Sequence, residues 1–194
     1  MIVYLHGFRS SPHSFKARLI GERLRQLGLA DAYRCPQLPA SPREAVALAS
    51  RLIDEARTEQ VALIGSSLGG YYATFLAEHY GCRGALLNPA VRPPRDLQKY
   101  IGVTTTYHSG ERFEFKAEYI GELHQLRVSG ITNPKRYFLL AATGDEVLDW
   151  REMVAHYPGA CQRVIQGSDH GISEFGDYLD EVLAFCGVSP ERPN

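Results

Sequence analysis

Short apolar runs alternate along the chain with segments whose apolar residues recur at helical spacing. The runs at 2–5, 33–36, 61–64, 84–87, 137–142 and 162–165 are apolar without a clean in–out alternation. That is the pattern of parallel strands covered on both faces. Between them, Ala17, Ile20, Leu24 and Leu27 form one helical stripe, ended by Gly28. Ala45, Leu48, Ala49, Leu52, Ile53 and Ala56 form a second, and Leu68, Tyr71, Tyr72, Phe75 and Leu76 a third. Phe175, Tyr178, Leu179, Val182 and Leu183 form a fourth. Such stripes pack helices onto a sheet. Ser41-Pro42-Arg43-Glu44 opens the second helix, with Ser41 as N-cap, Pro42 in the first turn and Glu44 closing a capping box.

Strand–helix alternation of this kind predicts an α/β fold with a mostly parallel sheet and helices on both faces. The 194 residues are expected to form a single domain spanning 1–194. One stretch, at about 91–133, breaks the rhythm. It carries Pro93-Pro94, the run Thr104 to Thr106, and the aromatics Tyr100, Tyr107, Phe113, Phe115 and Tyr119. A segment this long inside a compact domain is functional or carries structure of its own. Its aromatics either line a pocket as a lid or cap the sheet as core.

Composition narrows the partners. Apolar residues make up 44% and charged residues 22%, ordinary values for a packed chain. Lys plus Arg is 21 and Asp plus Glu is 22, a net charge of −1, so no bulk basic field favours nucleic acid or an anionic membrane. No run approaches the ~20 apolar residues of a bilayer span. Cys35, Cys82, Cys161 and Cys186 show no metal-site spacing and are expected to be reduced. The N-terminal segment does not read as a signal peptide and the C-terminal residues read as a frayed tail without a lipidation box; the expected compartment is cytoplasmic.

Gly65-Ser66-Ser67-Leu68-Gly69 fits G-x-S-x-G between a predicted strand and a predicted helix. In that context the pattern places a serine oxygen on a tight turn at the sheet's C-terminal edge, with free helix N–H groups beside it. A serine needs a base. His170, in Gly167-Ser168-Asp169-His170-Gly171, follows the last strand and precedes the last helix, at the same edge. His79, His108, His124 and His156 fall in helices or in the irregular stretch, and His13 lies in the first loop. Asp145 directly follows the strand at 137–142 and is the expected acid, with Asp149 in reserve. After the strand at 84–87, where an acid could also stand, the chain has Asn88. The order Ser67, Asp145, His170 is that of α/β-hydrolases. The oxyanion donors are expected to be the backbone N–H groups of Leu68 and Phe8. His6, Gly7 and Tyr71 are candidate substrate-site residues, with Gly7 giving backbone room and His6 shaping the loop.

With these residues in hand, the chain resembles the YqiA-like small bacterial esterases of the α/β-hydrolase superfamily. The matching blocks are Tyr4-Leu5-His6-Gly7-Phe8 with Ser10-Ser11-Pro12, Pro36-Gln37-Leu38-Pro39, Gly65 to Thr74, Asn88 to Pro93, and Thr143 to Asp149. The resemblance implies an α/β-hydrolase fold reduced to about six parallel strands. It also implies carboxylesterase or thioesterase activity on small acyl esters, acyl-CoA thioesters among the candidates, through Ser67, Asp145 and His170. That chemistry needs no metal or cofactor. Arg92, Arg95 and Lys99 either meet a CoA phosphate or form a solvated face. The rival readings are a non-catalytic binding module on a hydrolase scaffold and an acyltransferase.

Overall fold

A computed structural model describes residues 1–56, 60–107 and 109–189. His108 and the tail at 190–194 lie outside the described residues.

The elements are β1 (Ile2–Leu5), α1 (Phe15–Gln26), β2 (Tyr33–Arg34), α2 (Pro42–Asp54), β3 (Ala62–Ser66), α3 (Leu68–Tyr80) and β4 (Arg83–Leu87). They continue as α4 (Pro93–Leu97), β5 (Gly102–Thr105), β6 (Arg112–Phe115), α5 (Glu118–Gln125), β7 (Tyr137–Ala142), α6 (Trp150–His156), β8 (Cys161–Ile165) and α7 (Phe175–Phe185). Six strands form one parallel sheet in the order β2-β1-β3-β4-β7-β8. The expected strands are all present: β1 and β7 have the expected ends, and the other four differ by one or two residues.

Each inner strand reads as a continuous apolar run because alternate side chains enter different cores. Val3, Leu5, Leu63, Leu86 and Leu139 face a core built with α2, α3 and α6. Ile2, Tyr4, Ile64, Leu87, Phe138 and Leu140 face the other, built with α1 and α7. The four cysteines are free thiols. No helix among the described residues is long and apolar enough to cross a membrane.

Two local expectations change. Ser41 does cap α2, its Oγ accepting the Glu44 N–H at 3.2 Å. Glu44 makes no return bond among the described residues. The partner is instead Glu122 of α5, whose Oε2 accepts from Ser41 Oγ at 2.7 Å and from the Arg43 N–H at 3.1 Å. The start of α2 is thus held by a carboxylate from a distant segment and not by a reciprocal box within four consecutive residues.

The irregular stretch also carries more structure than its sequence suggests. β5 and β6 form an antiparallel hairpin, two strands outside the main sheet. Its aromatics divide between the two alternatives. Phe115 is fully buried and Phe113 packs against the core. Tyr100 and Tyr107 line a cavity.

Candidate active site

The parallel register places the C-terminal ends of β1, β3, β4, β7 and β8 side by side. Leu5 pairs with Gly65, Ser66 with Leu87, Leu87 with Leu140, and Ala142 with Ile165. The loops that leave this edge carry Gly7 and Phe8, Ser67, Asn88, Asp145 and His170.

Ser67 stands between β3 and α3 at φ 54, ψ −121, a conformation costly for any residue but glycine. Two glycines allow the turn. A Cβ on Gly69 would lie 1.9 Å from the Leu5 carbonyl oxygen, and one on Gly65 would lie 2.3 Å from the Gly69 oxygen. The elbow is then pinned by backbone bonds. The Ser67 N–H donates to the Leu87 oxygen at 3.1 Å, and the Ala90 N–H donates to the Ser67 oxygen at 2.9 Å.

The structure brings together the three residues singled out for chemistry. Ser67 Oγ lies 3.0 Å from His170 Nε2, and His170 Nδ1 lies 2.8 Å from Asp145 Oδ2. The Asp145 side chain is fully buried. Its other oxygen, Oδ1, accepts the N–H groups of Val147 and Leu148, both at 2.8 Å. With the carboxylate so oriented, Nδ1–H donates to Asp145 and Nε2 is left to accept from the serine. Asp149 does not reach the site: it caps α6, accepting the Arg151 N–H at 2.9 Å. Asp169 turns away from the ring and bonds the Ser173 N–H at 3.1 Å.

Among the described residues neither the Leu68 N–H nor the Phe8 N–H has an acceptor. Leu68 opens α3, so its amide is one of the unbonded first-turn donors. The Phe8 amide is set by its own peptide plane. The Gly7 carbonyl accepts from His6 Nδ1–H at 3.0 Å and from the Ser10 N–H at 3.2 Å. In a trans peptide the N–H points opposite to the carbonyl. Ser67 stands close by: a Cβ on Gly7 would be 3.2 Å from Ser67 Cβ.

His6 is buried, and its Nε2 accepts the Leu38 N–H at 3.0 Å, which makes Nδ1 the protonated nitrogen. It shapes the loop and does not line the cavity around Ser67. Tyr71 is buried as well, its hydroxyl donating to the Leu123 oxygen at 2.7 Å, and it faces a second concavity. Gly7 does border the cavity.

Several positioning groups escaped the sequence reading. Asn88, fully buried at φ 42, donates from Nδ2 to the Asp169 oxygen at 3.0 Å and the His170 oxygen at 3.2 Å, and its Oδ1 accepts the Ala142 N–H at 2.8 Å. Glu146 accepts the His170 N–H at 3.0 Å. Lys16 donates to the Gly171 carbonyl, and burial pulls its pKa down to about 8, against the opposing pull of Asp169 and Asp145. The signal for Asn88 was available: a polar residue directly after an apolar strand, at the same edge as Ser67.

The irregular stretch braces the Phe8 loop. The Phe8 ring packs edge-on against Phe113 and Phe115, both with centroids at 5.2 Å, and lies 5.5 Å from Tyr100. Next to it, Arg9 Nε donates to the Thr105 oxygen at 2.5 Å, the Tyr107 N–H donates to the Arg9 oxygen at 3.0 Å, and the guanidinium lies over the Tyr107 ring at 4.4 Å.

Ser67 and His170 open into a cavity of about 790 Å³. One wall is apolar, with Phe15, Pro93, Leu97, Tyr100 and Leu148; Lys16, Lys99 and Glu146 are polar groups at its border. Of the three cations named from sequence, Lys99 borders this cavity, while Arg92 and Arg95 face the second concavity.

Residues 1–187 match the sequence profile of the uncharacterised protein family UPF0227. The chain belongs to that family. The UPF0227 fold recurs in solved α/β-hydrolase structures. A protein of Agrobacterium vitis S4 designated as a hydrolase superposes with a TM-score of 0.77 at 18% identity, over 95% of this chain and 87% of that one. Est1E from Butyrivibrio proteoclasticus, solved with ferulic acid bound, gives 0.75 at 16% identity, covering 95% and 86%. Mouse alpha/beta hydrolase domain-containing protein 10 gives 0.71 at 18% identity, covering 94% and 89%. This member of UPF0227 therefore has the α/β-hydrolase fold, at identities that speak to the fold alone.

Proposed function

We propose that this chain is a serine hydrolase, a carboxylesterase or thioesterase, that cleaves small acyl esters through an acyl-enzyme on Ser67. The observation that carries the reading is the continuous relay from Ser67 Oγ through His170 to Asp145, at 3.0 and 2.8 Å, opening into a cavity with an apolar wall.

The proposed steps use this relay. His170 Nε2 takes the hydroxyl proton as Ser67 Oγ attacks the ester carbonyl. The tetrahedral oxyanion is held by the N–H groups of Leu68 and Phe8, donors fixed in place before the reaction begins. Asp145 stabilises the imidazolium through Nδ1–H. That imidazolium then protonates the leaving alcohol or thiol, and water, activated by the same nitrogen, releases the acid. The apolar wall suits the acyl or aryl part of the ester, and the ferulic acid bound to Est1E makes feruloyl esters a natural member of a substrate panel. Acyl-CoA thioesters belong in the same panel. Four free thiols suit action in the reducing cytoplasm.

The test pairs chemistry with mutation. A fluorophosphonate probe is expected to label Ser67 in the wild type, and Ser67→Ala is expected to lose about 10³- to 10⁶-fold in kcat across ester and thioester substrates while the fold persists. An unlabelled Ser67, or a variant as active as wild type, overturns the reading. Failure of labelling together with tight binding of an ester would favour a binding module instead.

A further inference from the structure

Helix α4 is a partition between two concavities. Pro93, Asp96 and Leu97 line the cavity around Ser67, while Arg92, Pro94 and Arg95 line a second one of about 740 Å³. The wall of the second is completed by Arg127 after α5, by Arg151 and His156 of α6, and by His124. The arginines come from separate segments of the chain and converge on one space.

Their charge is incompletely met. Glu152 is the carboxylate on this wall among the described residues. It is engaged by Arg95 through both oxygens at 2.8 Å, with Arg92 at 3.9 Å. Arg95 is further neutralised by Asp96 at 2.7 Å. Arg127 has no carboxylate partner among the described residues, and Arg151 has the exposed Asp149 at 3.6 Å. The chain as a whole carries −1, so this concentration of cations is local. His156 registers the field: burial, then Arg127 and Arg92, lower its pKa. Four guanidinium groups against the carboxylates of Glu152, Asp96 and Asp149 leave the cleft net positive. Such a concave surface focuses an attractive potential on anions, and the planar fork of arginine matches phosphate oxygens.

We propose that this cleft binds a small phosphate-bearing anion through Arg92, Arg127 and Arg151. The site shares α4 with the catalytic cavity but uses none of its reacting groups, so it stands independently of the reading of Ser67. Arg95 belongs to the α4–α6 tie and holds the wall in place.

The probe is inorganic pyrophosphate, titrated calorimetrically into the full-length chain at low salt, with inorganic phosphate as a second arm. Saturable binding with a dissociation constant of about 1 mM or tighter is expected, weakening as salt is raised. Binding by pyrophosphate and not by phosphate points to a diphosphate ligand; binding by both points to a monophosphate. The double variant Arg127→Gln/Arg151→Gln, on exposed positions, is expected to weaken binding by about 10-fold or more. Each single variant is titrated too, and thermal melts check that all remain folded. Saturating pyrophosphate is expected to leave the rate of fluorophosphonate labelling unchanged. The proposal is overturned by no saturable binding up to about 10 mM, by unchanged affinity in the variants, or by pyrophosphate competing with the phosphonate, which would put the anion beside Lys16 and Lys99 instead.

Discussion

The carboxamide of Asn88 joins the end of β4 to the backbone of His170, its Nδ2 donating to the His170 carbonyl at 3.2 Å while its Oδ1 holds the Ala142 N–H at 2.8 Å. The histidine loop is therefore fastened to the middle of the sheet by one side chain without ionisable character.

Replacing Asn88 with Leu removes three bonds and leaves the Ala142 N–H buried and unsatisfied. The expected cost is about 2–3 kcal/mol of stability, with a fall in kcat larger than any rise in KM. Denaturant melts and steady-state kinetics on one ester check both. Full stability in Asn88→Leu would show the tie to be dispensable.

Asp145→Asn gives a sharper outcome. Oδ1 is held by the N–H groups of Val147 and Leu148, so the asparagine keeps its carbonyl there and turns its amide NH₂ toward His170. A donor facing Nδ1 forces the proton onto Nε2, the tautomer that cannot accept from Ser67. A loss of about 10⁴-fold in kcat is expected with little change in fold. NMR of the ring nitrogens reads the tautomer directly.

Phe113→Ala opens the aromatic clasp on Phe8 at a partly buried position. The loop that carries the proposed Phe8 oxyanion donor is loosened while the Ser67–His170 pair is untouched. A fall of about 10-fold in kcat is expected, with weaker inhibition by a boronic acid and unchanged inhibition by the carboxylate product. Unchanged boronate affinity would separate the clasp from the reaction.

Lys16 makes stability depend on pH with a definite sign. Its folded pKa is lowered to about 8, so above that the unfolded chain binds a proton that the folded chain does not. Its contribution to stability therefore rises with pH from about 8 toward the ordinary lysine value, by up to about 3 kcal/mol. The thiols Cys35 and Cys82, pushed up from 9.0 to about 11 by burial, act with the opposite sign between those values, an interval that overlaps that of Lys16. The quantity to measure is thus the difference between wild type and Lys16→Met, which is expected to shift in favour of the wild type as pH increases.

The sheet was legible because each of its inner strands is apolar on both faces. Ser67 and Asp145 closely follow such strands, while His170 follows the edge strand β8, whose polar Gln162 and Arg163 make it a weaker signal. Local pattern could not supply Glu122 as the partner of Ser41, since the two are joined only by tertiary packing. The hairpin was missed because β5 and β6 lie outside the main sheet, carry polar, exposed positions and lack the apolar run of the core strands. His6 and Tyr71 look from sequence like site residues; their polar atoms are instead used by Leu38 and Leu123 within the protein.

The clasp on Phe8 couples residues made early in translation to residues made much later. When Ser67 is added to the growing chain, neither the hairpin that steadies the opposing loop nor the segment bearing His170 has yet been synthesised. A nascent chain halted after α3 therefore holds Ser67 without the proposed base or a braced Phe8 loop, and the proposed relay can close only once His170 has been made.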